Sequence, residues 1–379
     1  MVESVDTPDL KSVDQYGRAS SSLATPIHKS KRNMKLIERI QELSKIGATE
    51  NGICRPADSL EDIQGKSLVI RWMLEDGLTV NKDIYGNIRG ILPGSGAPIV
   101  TGSHTDTVAT AGEYDGVLGV LAGLEAAREL KGKLKHPLEV VIFHDEENTM
   151  SGSVGYCSKK PDIKAFLELH VEQGPVLDCQ QTDIGAVTGI VGQRRCSVSV
   201  FGQENHAGTT PMNMRNDALV KTAEIISYID KKAKEADGLV ATVGVLDVHP
   251  NAFSVVPGRV DFTLQVRDLY ADKMEDFVED VCKKFDLRYN IQHQSEPALC
   301  ERSIIDAVKG SCDRYGLSSI EMPSRASHDA QNFTWCPMGM IFVPSIGGIS
   351  HSPKEKTTDE MCINGTKVFI NTIRSIDQS

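Results

Sequence analysis

Short apolar runs of strand length alternate with amphipathic helical stretches through much of this chain, and several of the runs stop at a histidine or an acid. GAPIVTGSH ends in His104, LEVVIFHDEE ends in Glu146 and Glu147, and AFLELHVEQG carries His170 near its end. Apolar runs that alternate with helices in this way read as strands of a sheet covered by helices on both faces. The stretches between them fit that role. GVLGVLAGLEAARELKG is apolar enough for a buried helix, while MKLIERIQELSKI and SLVIRWMLEDG show the spacing of amphipathic helices, the second closed by a Gly stop. The alternation predicts an α/β fold with a mostly parallel mixed sheet flanked by helices.

The rhythm changes between about Asp183 and Leu299. RRCSVSVFG reads as a strand, NDALVKTAEIISYIDKKAKE as a helix, and LVATVGVLDV and GRVDFTLQVRDL as strands joined through a Pro257-Gly258 turn. The helix DKMEDFVEDVCKKF and the strand LRYNIQHQ complete a β-α-β-β-α-β order, that of the ferredoxin-like unit. Helix IIDAVKGSCDRYG and strand MIFVPS then resume the first pattern. The expected organisation is a catalytic domain over 33–184 and 300–379 interrupted by a smaller α+β domain over 185–299. Residues 1–32 lack periodicity and read as a flexible arm.

Composition narrows the partners. Lys plus Arg number 41 against 52 Asp plus Glu, a formal net charge of −11 that repels polyphosphate, and no basic run appears, so nucleic acid is excluded as a partner. No apolar stretch approaches the roughly 20 residues of a membrane helix, and the first 33 residues have neither the apolar core of a secretory signal nor the acid-poor character of a transit peptide. The 9 cysteines are scattered without a CxxC pair and read as reduced thiols, which points to the cytosol.

The chemistry is expected where strands run out, because ligands of open α/β sheets bind beyond the carboxyl ends of strands. There the chain offers His104, Asp115 at the start of a Gly-rich helix, the pair Glu146 and Glu147, and a face of Glu168, His170 and Glu172. A lone His or Asp after a strand is commonly a turn or cap residue, and an acid pair is equally compatible with a solvated loop. Several independent strand ends that each deliver a metal-competent group favour a cation site, with Zn, Mn, Co or Ni all suited to imidazole and carboxylate. Asp106 is then placed to fix the His104 tautomer through its carboxylate.

The strings GSHTDTV, EYDGVLGVLAGLE, HDEE, LELHVEQGPVL, VGQRR, NHAGTTPM, SVVPGRVDF, SHDAQNF and GISHSPKE carry a family resemblance. In this order, from about Ile46 to His351, the chain resembles the M20-type metal-dependent amidohydrolases, in particular their hydantoinase/carbamoylase branch. The resemblance implies a homodimer whose inserted domain serves as lid and dimer interface. It also implies two divalent metals per subunit, held by His104, Asp115, Glu147, His170 and His351 with Asp115 as the bridge. In the usual arrangement His104 and His170 share one metal while Glu147 and His351 share the other; an alternative pairs Glu147 with His170, and the sequence leaves both open. Glu146 is implied as general base, His206 as the group that reaches the oxyanion from the lid, Arg267 as the clamp on a substrate carboxylate, and Gln193, Asn251 and His328 as further substrate contacts. For Arg267 a surface ion pair is the competing reading.

The implied activity is hydrolysis of a linear ureido or carbamoyl C–N bond in a small carboxylate-bearing molecule. VGQRR and ENHAGTTPM most resemble allantoate amidohydrolase, with N-carbamoyl-L-amino acids and ureidoglycolate as alternative substrates. An M20 peptidase and a catalytically silent binding protein are the remote readings. Two departures from the family pattern stand out. Asn148, Thr149 and Met150 follow the double Glu where relatives often have a small residue and Arg-Phe, which predicts a trimmed substrate-shaping loop. Arg325 and Ser327 replace glycines common in relatives, which predicts an added positive charge near the pocket.

Overall fold

Helices α1 (Leu36–Leu43) and α2 (Leu60–Asp76) open the part of the chain that the computed structural model describes, residues 35–379. The arm expected over residues 1–32 lies outside the described residues. Helix α1 buries Leu36, Ile40 and Leu43, the apolar stripe its spacing dictates. Helix α2 starts earlier than its apolar pattern suggests because the Ser59 hydroxyl accepts the Asp62 N–H, and it stops where Gly77 turns into the left-handed region at φ 86°.

The strands follow as β1 (Thr79–Lys82), β2 (Ile88–Leu92), β3 (Ile99–His104), β4 (Leu138–Phe143), β5 (Ala165–Val171), β6 (Ile184–Ile190), β7 (Gly192–Phe201), β8 (Val240–His249), β9 (Arg259–Asp268), β10 (Tyr289–Ser295), β11 (Ala298–Leu299), β12 (Ser319–Ser324) and β13 (Met338–Val343). The larger sheet runs β11-β6-β13-β5-β3-β4-β2-β1, with β12 paired to β6. Its centre, β13-β5-β3-β4, is parallel, and every residue of β3, β4, β5 and β13 is buried. The flanks depart from the mostly parallel expectation: β4 to β2, β2 to β1, β6 to β11 and β6 to β13 are antiparallel, because these strands connect by tight turns or by excursions rather than by crossover helices.

Helix α3 (Val117–Leu130) connects β3 to β4 and is buried along nearly its whole length. It lies close to the sheet because a Cβ at Gly119 would stand 2.4 Å from the Leu169 carbonyl oxygen, an approach only glycine permits. Helix α4 (Ser151–Ser158) begins soon after β4, and α5 (Val176–Gln180) soon after β5, where Glu172 accepts the N–H groups of Val176 and Leu177. The connection from β4 to β5 spans residues 144–164 and consists of a turn, α4 and a short link.

Residues 192–295 build a second sheet, β8-β9-β7-β10, antiparallel throughout. With α6 (Ala218–Glu235) and α7 (Ala271–Phe285) it has the expected β-α-β-β-α-β order. Alternate residues of β7 and β9 are buried, and Val198, Phe262, Leu264, Ile225, Phe277 and Val281 join in its core. Burying each such side chain contributes about 1.5–3 kcal/mol. The larger sheet keeps β6 through Ile190 and takes β11 back at Ala298, so the change of sheet falls at Gly192 and Ser295, inside the expected limits of 185 and 299. The Pro257-Gly258 turn is part of a longer loop, in which Val255 and Val256 pair with His206 and Asn205.

Helices α8 (Arg302–Tyr315) and α9 (Asp359–Gln378) return to the larger sheet, α9 capped by the Thr358 hydroxyl on the Met361 N–H. None of the 9 cysteines forms a disulfide. Among the described residues no helix is long and apolar enough to cross a membrane.

Candidate metal centre

The parallel centre of the sheet delivers its polar residues to one end. His104 is the last residue of β3, Glu146 and Glu147 follow β4, His170 is near the end of β5, and His351 lies on the loop after β13. Asp115 precedes α3, and Gly116, at φ 66°, lets the helix start against His104: a Cβ there would stand 2.5 Å from the imidazole. His351 itself adopts a left-handed φ of 52°, a conformation an L residue holds only when its surroundings enforce it.

Asp115 is the centre of the cluster. One carboxylate oxygen, Oδ1, lies 3.1 Å from His170 Nε2 and 3.6 Å from His104 Nε2, while Oδ2 lies 3.2 Å from His351 Nε2. His351 Nε2 is 3.5 Å from Glu147 Oε2, and His104 Nε2 is 3.6 Å from Glu146 Oε2. Two groups result, His104–Asp115–His170 and Asp115–Glu147–His351, the ligand atoms in each lying within 4.8 Å of one another. Bonds of about 2.0–2.2 Å to a tetrahedral divalent cation put neighbouring ligand atoms about 3.4 Å apart, so spacings of 3.1–3.6 Å are compatible with a shared cation. The other ring nitrogens are engaged as such ligands need: Nδ1 of His104 is 2.9 Å from the Asp106 carbonyl oxygen and Nδ1 of His170 is 2.8 Å from that of Val171. The Asp106 carboxylate, expected on His104, is 3.9 Å from its Nδ1 and instead accepts the Glu147 N–H at 3.3 Å, tying two ligand-bearing loops together.

In two other acid and histidine groups an acid is already engaged by protein partners. Glu168, fully buried, accepts the Ser103 hydroxyl and the Ala330 N–H, so of the face Glu168, His170 and Glu172 only His170 enters the cluster. Asp62, near Asp58 and His144, pairs with the Lys66 ammonium at 2.7 Å.

Burial would raise the Asp115 carboxyl, but His104, His170 and His351 outweigh it and hold it well below the usual range. Burial likewise opposes charge on His104, yet Glu146, Asp115 and Asp106 lift it well above an ordinary imidazole, and His170 and His351 are raised with it. Glu146 is pushed well above the ordinary glutamate range by burial, with Asp329, Glu147 and Asp115 adding to the push. His328 is driven well below the ordinary value by burial and by His170, whose ring centroid is 4.4 Å away.

A cavity of about 180 Å³ opens on the cluster, with Met150, Gln173, Ala326, Ser327 and His328 completing its wall. Of the residues expected to contact substrate, His328 lines it, with Nε2 buried and lacking a partner among the described residues. Gln193 and Arg267 share a rung of β7 and β9, and Arg267 Nη1 donates to the Arg325 carbonyl at 2.7 Å, next to Ala326. His206 and Asn251 are exposed and do not line the cavity. Arg325 is not part of the cavity wall; its guanidinium donates to the Gly238 carbonyl at 2.8 Å. Sequence reasoning missed Gln173, whose Nε2 donates to Asp115 Oδ2 at 2.8 Å; Met150, expected on the loop after the double Glu, lines the cavity with its sulfur accepting from Gln331. Gln173 sits in the LELHVEQGP string, but nothing in a glutamine's identity marked it as part of the site.

The chain belongs to Peptidase family M20/M25/M40, which it matches over residues 100–375. Within that family it is 33% identical to N-carbamoyl-L-amino acid amidohydrolase of Geobacillus stearothermophilus, over 91% of this chain and 98% of the relative. It is 34% identical to allantoate amidohydrolase of Escherichia coli strain K12, over 88% and 95%. Among solved structures, a hydantoinase/carbamoylase family amidase from Burkholderia multivorans superposes with a TM-score of 0.82 at 32% identity, over 91% of this chain and 98% of that one.

Proposed function

We propose that this chain is a metal-dependent amidohydrolase that cleaves a linear carbamoyl C–N bond in a small ureido carboxylate. Allantoate is the first candidate substrate; N-carbamoyl-L-amino acids and ureidoglycolate are the alternatives. The observation that carries the reading is Asp115, shared between His104 with His170 and Glu147 with His351, with Glu146 beside His104. Every residue that the chemistry needs is present, which disfavours a silent binding protein.

Two divalent cations held there would supply Lewis acidity toward a water and the scissile carbonyl. Glu146 takes the proton of the attacking water as its oxygen bonds to the carbamoyl carbon, then passes that proton to the leaving nitrogen as the C–N bond breaks. The raised pKa of Glu146 fits a group that must both accept and return a proton. The carbamoyl group leaves as ammonia and carbon dioxide. Arg267 clamps the substrate carboxylate and His206 steadies the oxyanion, with Gln193, Asn251 and His328 as further contacts.

Since His206 and Asn251 stand away from the cavity, we assign residues 192–295 as an inserted ferredoxin-like lid that closes over substrate. The same domain is the proposed homodimer interface, a reading supported by Val240, Val245 and Leu246, which are exposed on the edge strand β8. Ammonia release from a panel of allantoate, ureidoglycolate and N-carbamoyl-L-amino acids tests the function. Turnover of a dipeptide with none of the ureido compounds would overturn it in favour of a peptidase.

A further inference from the structure

Glu355 lies outside the ligand set and outside the cavity wall, yet both of its carboxylate oxygens are committed at the centre. Oε1 accepts the main-chain N–H groups of Tyr114 and Asp115, each at 3.1 Å, and Oε2 accepts the Ser350 hydroxyl at 2.7 Å. The side chain is 6% exposed. Its approach depends on Gly112, where a Cβ would stand 2.4 Å from the Glu355 Cβ. The loop it holds is the one that presents His351, which neighbours Ser350. The result is a closed circuit, from the Asp115 main chain through Glu355 to Ser350, and from His351 back to the Asp115 carboxylate at 3.2 Å.

We propose that Glu355 is a positioning residue that presets the distance between Asp115 and His351, and so the affinity of the cation site they form with Glu147. The inference rests on the di-metal reading above. His104 and His170 are set by strands β3 and β5, whose ladder bonds fix them without help. His351 has no such support: it is half exposed, it sits on a loop, and its φ of 52° is strained. A buried carboxylate that accepts three hydrogen bonds, two from main-chain N–H groups, supplies the missing rigidity. Without it, the loop must be ordered at the expense of binding energy when the cation arrives.

The consequence is selective. Removing the circuit weakens chiefly the site that contains His351, since the one formed by His104, Asp115 and His170 keeps two ligands held by strands β3 and β5. A glutamine retains the circuit, because its carbonyl oxygen accepts the two N–H groups and its amide donates to the Ser350 oxygen.

The test is a Co2+ titration of the metal-free full chain, followed by calorimetry and by the visible absorption of the bound ion. The wild type is expected to take up two equivalents. Glu355→Ala should bind one of them about 10–100-fold more weakly, the range typical of lost outer partners of metal ligands, with the other within about threefold. Ser350→Ala, which keeps the carboxylate, should weaken the same equivalent by less, and Glu355→Gln should stay within about threefold of the wild type at both. Equal weakening of both equivalents in Glu355→Ala, no weakening of either, or a Gln variant as impaired as the Ala variant would overturn the proposal. Wild-type protein that takes up fewer than two equivalents would overturn the di-metal reading itself, and the proposal with it.

Discussion

His351 Nε2 lies 3.2 Å from Asp115 Oδ2, although one residue sits on a loop after the last strand of the sheet and the other at the start of its central helix. An imidazole and a buried carboxylate brought this close either pair with each other or share a cation. The other oxygen of Asp115 meets His170 and His104 in the same way, so the carboxylate faces both halves of the cluster. Substitution should separate the halves. Asp115→Ala is expected to reduce uptake at both sites and to abolish turnover, whereas His351→Ala should spare one equivalent, as measured by metal analysis after dialysis. One equivalent retained at full affinity in Asp115→Ala would show that the carboxylate does not bridge.

Glu146 and Glu147 are adjacent but differently employed. Glu147 faces His351, and its N–H is held by Asp106, while Glu146 faces His104. Glu146→Gln should keep its metal and lose about 10²–10⁴-fold in kcat, the usual worth of a general base. Glu147→Gln should lose metal affinity first. Matching metal loss in the two variants would mean that the roles are misassigned.

Acid and base stability of the metal-free chain follows from the same contacts. His104, His170 and His351 have folded pKa values above the unfolded value of about 6.5, so the stability they contribute is complete below that value and is lost as pH rises through the folded ones. The Tm of metal-free protein should therefore fall as pH rises above about 6.5. Metal must displace those protons, so its affinity should rise across the same interval and its binding should release protons, which calorimetry in buffers of different ionisation enthalpy detects. A metal-free Tm that climbs with pH over this range would contradict the assigned contacts.

The two proposed substrate contacts of the smaller sheet should differ in kinetics. Arg267→Ala removes a contact made with bound substrate and should raise KM about 10–100-fold for carboxylate-bearing ureido compounds. His206→Ala removes one that strengthens in the transition state and should mainly lower kcat. If KM is unchanged in Arg267→Ala for every such compound, Arg267 serves only to hold the Arg325 carbonyl.

Much of this was legible in the sequence because burial leaves a plain mark. The apolar runs of β3, β4 and β5 marked the centre of the sheet, and the several polar residues at their ends suggested a cation site, although the ligand set that includes Asp115, Glu147 and His351 came only from the family resemblance. The flanks were less legible: β11 has only 2 residues, and the direction of β6 and β11 is set by pairing partners, which no local pattern encodes. Asp106 was located correctly, but its carboxylate bonds a different loop than expected, a choice made by tertiary geometry. Glu355 ends the GISHSPKE string and still went unread, because an acid in a polar loop looks solvated until the loop is seen to fold over Asp115.

Packing gives a separate check that does not involve chemistry. Gly119→Ala inserts a methyl group 2.4 Å from the Leu169 carbonyl oxygen, in a helix whose position sets Asp115. Overpacking of this kind costs about 1–3 kcal/mol, so thermal unfolding should come several degrees earlier than in the wild type. An unchanged Tm would indicate that the helix does not pack this closely on β5.

The central claim is that Asp115 and its partners hold the cations on which hydrolysis depends, and ammonia release by the metal-free chain before and after reconstitution tests it most directly. With allantoate or an N-carbamoyl-L-amino acid as substrate, no ammonia is expected from protein verified to be metal-free, and turnover should return as Mn2+ or Zn2+ is added, levelling off near two equivalents per chain. Full ammonia release from the verified metal-free chain would contradict the account.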